Sequence, residues 1–317
     1  MPLETIGTPW LWAGFIAFVL ALLAIDLGVF HRQAHEVTLK EAGIWSAVWV
    51  ALALVFNVGV YFWFGAQTAL EFTTGYLIEK ALAVDNIFVF VVIFATFSVP
   101  AAYQHRVLFW GVLGALIMRA GFILAGGAFL QRFHWAIYVF GGILAITGVK
   151  LLVQRNEEVH PEKNPVVRLF QRFVPVTTQY HGDKFTVVQQ GRRYATPLLL
   201  TLVAIEVSDL IFAVDSIPAI FAVTPDPFIV FTSNIFAILG LRSLYFLLAG
   251  VITKFTYLKV GLSFVLIFVG IKMLIMDVFK IPIGVSLGVI AGILGLSVLV
   301  SLLRPPAAAS PRAAEGG

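Results

Sequence analysis

The chain has 317 residues, of which 60% are hydrophobic and only 12% are charged, and its mean hydropathy is +0.96. This composition excludes a water-soluble globular domain of this size. The sequence contains no cysteine, which excludes disulfides, thiolate metal sites, iron–sulfur clusters and thiol catalysis by this chain. The formal net charge of +4 indicates no nucleic-acid partner, because the basic residues lie in connections that flank apolar segments.

Apolar runs of about 20 residues, long enough for a helix to cross roughly 30 Å of hydrocarbon, recur along the chain. They predict an all-α fold, a polytopic membrane helix bundle with about nine transmembrane helices in one domain, residues 1–303. The tail, residues 304–317, is predicted to be disordered. The predicted spans are residues 10–30, 44–65, 73–98, 107–130, 135–153, 197–221, 228–250, 257–277 and 282–303.

The basic residues of the connections are distributed unevenly between the two sides of this predicted bundle. Arg132 and Lys280 lie on one side, and the other connecting lysines and arginines lie opposite. The positive-inside rule therefore predicts an N-terminus outside the cytoplasm and a C-terminus inside it. No basic segment or small-residue cleavage site precedes the first span, which is predicted to be retained rather than removed as a signal peptide.

One long connection, residues 154–196, is predicted to be cytoplasmic. Residues 164–174 space apolar side chains among arginines, as in a short helix at the lipid interface. Residues 184–194 contain two β-prone runs around a glycine, which predicts a hairpin. The connection is interpreted either as an ordered connector with basic anchors or as a gate or docking surface.

A three-helix unit occurs twice, at about residues 73–153 and 197–277. EKALAVDN at residues 79–86 matches DLIFAVDS at residues 209–216, Arg119 matches Arg242, and GVK at 148–150 matches GIK at 270–272. Because each unit has an odd number of spans, the second crosses the membrane in the opposite sense, and the repeat is predicted to be inverted. Inverted repeats are typical of secondary transporters, in which both halves form one site near the membrane midplane.

Five carboxylates fall within predicted spans at matched depths of the two units. A charged group at a helix centre costs about 2.5–3.5 kcal/mol on insertion scales, so these groups are expected to face the bundle interior. Two arginines cannot balance five carboxylates, which favours a bound cation or exchangeable protons over fixed buried ion pairs alone. The candidate metal ligands are Glu79, Asp85, Asn86, Glu206, Asp209, Asp215 and Ser216, and the candidate counter-ions are Arg119 and Arg242.

Helix geometry limits how these groups can meet. Six residues turn an ideal helix through about 600°, so Glu79 and Asp85 point some 120° apart, whereas Glu206 and Asp209 share a face. Pro218 is expected to break its helix beyond Asp215 and to free carbonyl oxygens for coordination.

Oxygen ligands without sulfur favour a hard cation such as Mn²⁺, Mg²⁺ or Ca²⁺, and ligand type alone leaves the choice between Mn²⁺ and Mg²⁺ open. The histidines fall in loops or at span ends, which disfavours zinc and copper. No tightly bound cofactor is expected. The sequence has no nucleophile and base in a known context, so it is not predicted to be an enzyme. The six histidines are His31, His35, His105, His134, His160 and His181.

The motifs at residues 79–86, 206–219 and 234–243 resemble those of the TerC family, also known from tellurite resistance and from Alx-type proteins. The resemblance extends from Asp26 to the eighth span. It implies a bacterial-type inner-membrane protein with an inverted repeat, related to cation/proton exchangers, and it implies manganese export. It also implies that the five acidic residues named above are the metal positions.

Two functions from different classes follow from the residues and the resemblance. The first is export of a divalent cation, Mn²⁺ in particular, through the acidic site, either alone or coupled to proton entry. The second is a partner in membrane-protein assembly or metalation, associated with tellurite resistance, that acts by protein–protein binding through the cytoplasmic connection. Lipid, the cation and protons are the expected partners, and the oligomeric state stays open.

Overall fold

The structure is a computed structural model of the chain. It describes residues 5–25, 38–133, 135–153, 174–189, 191–249 and 257–303, together with Leu169 and Arg172. Some side chains within these ranges lie outside the described part, namely those of Asp85, Phe88, Ala128, Leu130, Gln131, Asp215, Leu258 and Lys259. The predicted interfacial helix at 164–174, the tail at 304–317, and His31, His35, His134 and His160 also fall largely or wholly outside it.

Helices dominate the described ranges, as the sequence predicts, and one small two-stranded sheet accompanies them. In chain order the elements are α1 Pro9–Ile25, α2 Leu39–Phe64, α3 Ala66–Thr96, α4 Ala101–Arg132, α5 Ala136–Val153, β1 Thr186–Gln189, β2 Arg192–Ala195, α6 Pro197–Phe221, α7 Pro227–Leu239, α8 Leu241–Ala249, α9 Leu258–Ile275 and α10 Ile283–Leu303.

Length and hydropathy identify the helices that can cross a bilayer. In the described ranges, five helices are long and apolar enough, and α7 with α8 adds a sixth if the bent pair is one span. The chain is therefore an all-α, multi-pass membrane protein. The count of nine spans and the inverted repeat stay predictions.

The start of the third span corrects the sequence interpretation. Residues 66–73 were expected to form an outer loop, but α3 begins at Ala66, directly after Gly65. Gly65 has φ +89°, which separates α2 from α3 without any intervening loop. The polar residues here suit a helix, because the Thr68 and Thr73 hydroxyls donate to the carbonyl oxygens of Phe64 and Ala69, one turn earlier.

The position of the helix break is a second correction. Pro218 was expected to interrupt its helix, but α6 continues to Phe221. A proline so close to the end removes a single interior hydrogen bond, and the helix tolerates it. The break lies instead in the next span, which was predicted to be one helix over 228–250. Here α7 and α8 meet at Gly240 with a bend of 41°.

The hairpin predicted at 184–194 is present, with β1 and β2 antiparallel and Gly191 at φ +76° in the turn. The hairpin lies against the connection between α3 and α4. The Tyr180 hydroxyl donates to the Phe97 carbonyl at 2.6 Å, and Arg106 forms an ion pair with Asp183. The segment just before the hairpin, with Tyr180 and Asp183, thereby ties the end of α3 and the start of α4 to the hairpin.

Two packing features position the interior of the bundle. All 13 residues of α7 are buried, which makes this helix the centre of the fold. Helices α5 and α9 approach closely at glycines. A Cβ at Gly148 would lie 2.8 Å from the Ser263 carbonyl oxygen, and one at Gly270 would lie 2.7 Å from the Gly141 carbonyl oxygen.

Candidate functional site

Arg119 of α4 is fully buried and binds carboxylates from two other helices. Its Nε lies 3.1 Å from Asp209 Oδ2 and its Nη2 lies 2.9 Å from Asp209 Oδ1, a bidentate arrangement with α6. Its Nη1 donates to Glu79 Oε1 of α3. Glu79 is 0% exposed and Asp209 is 2% exposed, so the three charges form a dry cluster.

Neutral polar groups complete the surroundings of this guanidinium. Asn86 Nδ2 donates to Asp209 Oδ1 at 3.4 Å. Arg119 Nη1 also lies 3.4 Å from Ser216 Oγ and 3.4 Å from Asn234 Oδ1 of α7. Four helices, α3, α4, α6 and α7, therefore converge on one arginine side chain.

The spacing within α3 and α6 explains why these residues meet. Positions seven apart are separated by about two turns of an α-helix and lie on one face. Glu79 and Asn86 have this spacing, and so do Asp209 and Ser216. Asn86 contacts Asp209, whereas Glu79 and Ser216 both contact Arg119 Nη1, so the two matched segments run antiparallel past each other.

Several polar atoms of this cluster have no hydrogen-bond partner within the described structure. They are Glu79 Oε2, Asn86 Oδ1 and Asn234 Nδ2, all buried. Buried polar atoms are nearly always paired, and unpaired ones commonly indicate a bound water or ion. Two of the three are oxygen acceptors, the kind of atom that a hard cation binds.

Glu206 lies one helical turn before Asp209 and reaches α4 rather than Arg119. Its carboxylate lies against Gly114, where any Cβ would overlap it. Its Oε2 is buried and has no partner among the described residues. Gly114 is a position of the candidate site that no motif in the sequence marks. The only signal was the spacing of Gly111 and Gly114, which places two glycines close together on the side of α4 that faces α6.

A small cavity of about 10 Å³ borders Asp209, close to the lower limit for one water molecule. Apart from Asp209 its lining is apolar, with Gly111 and Ala115 of α4, Ile205 of α6 and Leu241 of α8 among the lining residues. Glu79, Arg119 and Asp209 are thus shielded from bulk water.

The structure brings together only part of the predicted metal site. Glu79, Asn86, Asp209 and Ser216 surround Arg119, with Glu206 nearby on α6. Among the side chains that the structure describes, no three from histidine, aspartate and glutamate are placed to hold a metal ion. Asp85 and Asp215 belong to α3 and α6, and their side chains fall outside that description, so their roles as ligands stay predictions.

The two candidate counter-ions, Arg119 and Arg242, lie in different parts of the bundle. Arg119 forms ion pairs with Glu79 and Asp209 at the centre of the acidic cluster. Arg242 is the second residue of α8, just beyond the break at Gly240, and is 8% exposed. Its role as a counter-ion stays a prediction.

Comparison with known proteins agrees with this architecture. The profile of the integral membrane protein TerC family matches residues 64–308. An uncharacterized membrane protein of Myxococcus xanthus is 64% identical over 300 residues, which cover 95% of this chain and 94% of that protein. Alx of Escherichia coli (strain K12), suggested to be a membrane-bound redox modulator, is 51% identical over 309 residues, 94% of this chain and 96% of that protein. No solved structure matches the chain. The chain belongs to the TerC family of integral membrane proteins.

Proposed function

We propose that the chain exports a divalent cation, Mn²⁺ in particular, from the cytoplasm in exchange for protons. One observation carries the proposal. Glu79 and Asp209, at matched positions of the two sequence units, both bind the fully buried guanidinium of Arg119. A dry site that gathers carboxylates from both units around one positive charge is suited to hold a cation at that place.

Charge balance supports a cation or protons in addition to Arg119. The described part of the cluster has three carboxylates, Glu79, Glu206 and Asp209, and one arginine that contacts two of them. Asp85 and Asp215 add two acidic residues within the same helices. Buried charges that lack partners cost several kcal/mol each, so the excess of carboxylates over Arg119 and the nearby ammonium of Lys80 supports a bound cation or protons.

Arg119 also supplies a way for the empty site to reorient. A guanidinium that binds Glu79 and Asp209 takes up the carboxylate oxygens that the divalent ion would use. The site then has two states. In one, the guanidinium binds the carboxylates, and in the other, the divalent cation binds them and the guanidinium is displaced. The ligand shifts the equilibrium between these states by its differential affinity.

The relation between the two units supports the inverted repeat on which alternating access depends. Residues 79–86 and 209–216 cross antiparallel at the cluster. The third helices of the units, α5 and α9, pack together through Gly148 and Gly270, which match in the sequence alignment of the units. Both contacts are those expected when a pseudo-two-fold axis relates the halves.

Protons enter the proposal through the same oxygens. Proton and cation compete for the carboxylates, so binding of the cation releases protons. If the form with neither cation nor proton does not cross, an inward proton gradient drives export. The proposed location is a bacterial-type inner membrane with the C-terminus in the cytoplasm.

The suggested redox role of the relative Alx fits this proposal only indirectly. The chain has no cysteine and cannot itself exchange thiols and disulfides. Removal of a redox-active metal from the cytoplasm changes the redox balance without thiol chemistry. Export of Mn²⁺ is therefore compatible with such a role.

A second candidate function, a binding partner in membrane-protein assembly or metalation, is favoured by the ordered hairpin. Val188 of β1 is 66% exposed although the hairpin is anchored to the bundle. If binding is the function, replacement of exposed hairpin residues such as Val188 should abolish the activity of the protein in cells while ion flux in proteoliposomes persists. If export is the function, activity in cells should be lost only in variants that also lose ion flux.

Proton release tests the export proposal on the purified protein. Addition of Mn²⁺ in weak buffer should acidify the solution, and Asp209→Asn should reduce the number of protons released per ion. Mg²⁺ and Ca²⁺ serve as competing ions that measure selectivity. A wild-type protein that binds Mn²⁺ without any change of pH would contradict proton exchange at this site.

A further inference from the structure

The break between α7 and α8 places a helix end inside the protein. Helix α7 is buried along its whole length and ends at Leu239, where the chain bends by 41°. The last carbonyl groups of a helix form the negative end of its dipole. In transporters with discontinuous helices, such ends coordinate cations.

The ammonium of Lys80 lies at this helix end. Its Nζ donates to the Ala237 carbonyl oxygen at 3.2 Å, a contact between residues 157 positions apart. The Tyr76 ring centroid is 5.8 Å from Nζ, within the range of cation–π attraction. Lys80 is near the middle of α3, which has 31 residues, and its head group binds a carbonyl of the interior.

Gly240 leaves the space that this ammonium uses. A Cβ at this position would lie 2.7 Å from Lys80 Nζ and 3.2 Å from Trp49 Cβ. The backbone of Gly240 has φ −81° and ψ −1°, which any residue can adopt. The absence of a side chain, rather than an unusual backbone conformation, is therefore what the lysine requires here.

We propose that Lys80 is a positioning residue, a tethered cation that binds the end of α7 and sets the angle between α7 and α8. The inference rests on the proposed transport function. Glu79 and Lys80 are consecutive on α3, with Glu79 bound to Arg119 and Lys80 bound at the break. When the transported cation takes the place of Arg119, a movement of α3 is passed to the hinge through Lys80. Lys80 itself does not touch the transported ion.

Two variants remove this contact by different routes. Lys80→Met removes the charge at nearly constant length, and Gly240→Ala keeps the lysine but fills the space beside its ammonium. Gly292→Ala is the matched control, because a Cβ at Gly292 meets nothing within 4 Å. Since the chain lacks cysteine, spin labels at Pro225→Cys and Ala249→Cys report the distance across the break without background labelling.

In metal-free protein, each variant should widen the distribution of this distance, and Gly292→Ala should not. In proteoliposomes, each should lower the maximal Mn²⁺ transport rate about tenfold, the effect of one lost charge-assisted hydrogen bond, while KM changes less than about twofold. The double variant should be no slower than either single variant, because both remove the same contact.

If the transport rate of the double variant falls by the product of the two single-variant factors, the inference is overturned. A spin-label distance distribution in Lys80→Met equal to that of the wild type would also overturn it. A raised KM in Lys80→Met with an unchanged distribution would assign the lysine to ion binding instead and would also overturn it. The distance measurement requires no transport. It therefore tests the hinge even if the wild type moves no Mn²⁺, the result that contradicts the proposed function.

Discussion

Glu79 and Asp209 share the guanidinium of Arg119, Asp209 through two hydrogen bonds of 3.1 and 2.9 Å and Glu79 through Nη1. The two carboxylates come from α3 and α6, at positions that match when the sequence is aligned with itself. The buried guanidinium of Arg119 thus joins the two units at equivalent points. The consequences for stability and ion binding are testable.

Arg119→Gln should destabilise the protein by about 3–5 kcal/mol, because it leaves two buried carboxylates without their positive partner. The melting temperature of the purified variant measures this loss. Mn²⁺ should raise that melting temperature more in Arg119→Gln than in the wild type, since the ion no longer competes with the guanidinium for Glu79 and Asp209.

The matched control adds Glu79→Gln to Arg119→Gln, which removes one of the unpaired charges. This double variant should regain stability in metal-free buffer but not transport. If Mn²⁺ shifts the melting temperature of Arg119→Gln no more than that of the wild type, the arginine and the ion do not use the same oxygens.

Gly114→Ala should displace the Glu206 carboxylate, because the added Cβ would overlap it. We expect weaker Mn²⁺ binding by isothermal titration, by about tenfold if one carboxylate contact is lost. Gly121→Ala on the same helix is the control, since a Cβ there meets nothing within 4 Å. Equal affinities for the two variants would remove Glu206 from the proposed site.

The presence of acidic residues and of Arg119 within apolar spans was accessible from the sequence, because composition and spacing are local properties. The seven-residue spacing of Glu79 with Asn86 and of Asp209 with Ser216 places each pair on one helix face, but only the structure shows which faces meet. The contact of Glu206 with Gly114 was not accessible, because it depends on how α4 and α6 pack.

The break at Gly240 is the clearest case of a feature that the local sequence does not determine. Pro218 was the stronger local signal for a break, yet α6 continues through it. The bend at Gly240 coincides with a lysine from α3, distant in sequence, at the buried end of α7. Similarly, residues 66–72 lie between two predicted spans, but the hydroxyls of Thr68 and Thr73 bond to the backbone of the preceding turn within one helix.

The hairpin should be held to the bundle by a few polar contacts. Tyr180→Phe combined with Arg106→Gln removes the bond to the Phe97 carbonyl and the ion pair with Asp183. The pair of Arg106 with Asp183 is partly exposed and contributes little to stability, so the melting temperature should change only slightly. Cleavage within residues 181–194 during limited proteolysis should become faster. An unchanged cleavage rate would show that other contacts hold the hairpin.

Topology can be tested with single cysteines, because the chain has none of its own. Gln67→Cys near the start of α3 and Val188→Cys in the hairpin are both at exposed positions. A membrane-impermeant thiol reagent should label Gln67→Cys from outside intact cells and Val188→Cys only after the membrane is opened. Labelling of both from outside would contradict the predicted orientation and the antiparallel units.

Mn²⁺ flux into proteoliposomes that contain only this protein tests cation export most directly. With a pH gradient across the membrane, the wild type should move Mn²⁺ against the direction of proton flow, and flux should collapse when the gradient is dissipated. Asp85→Asn and Asp215→Asn, which are nearly isosteric, should each abolish flux while the protein remains inserted and monodisperse. Wild-type liposomes without flux above protein-free liposomes, or either variant with the wild-type rate, would contradict transport through the acidic site.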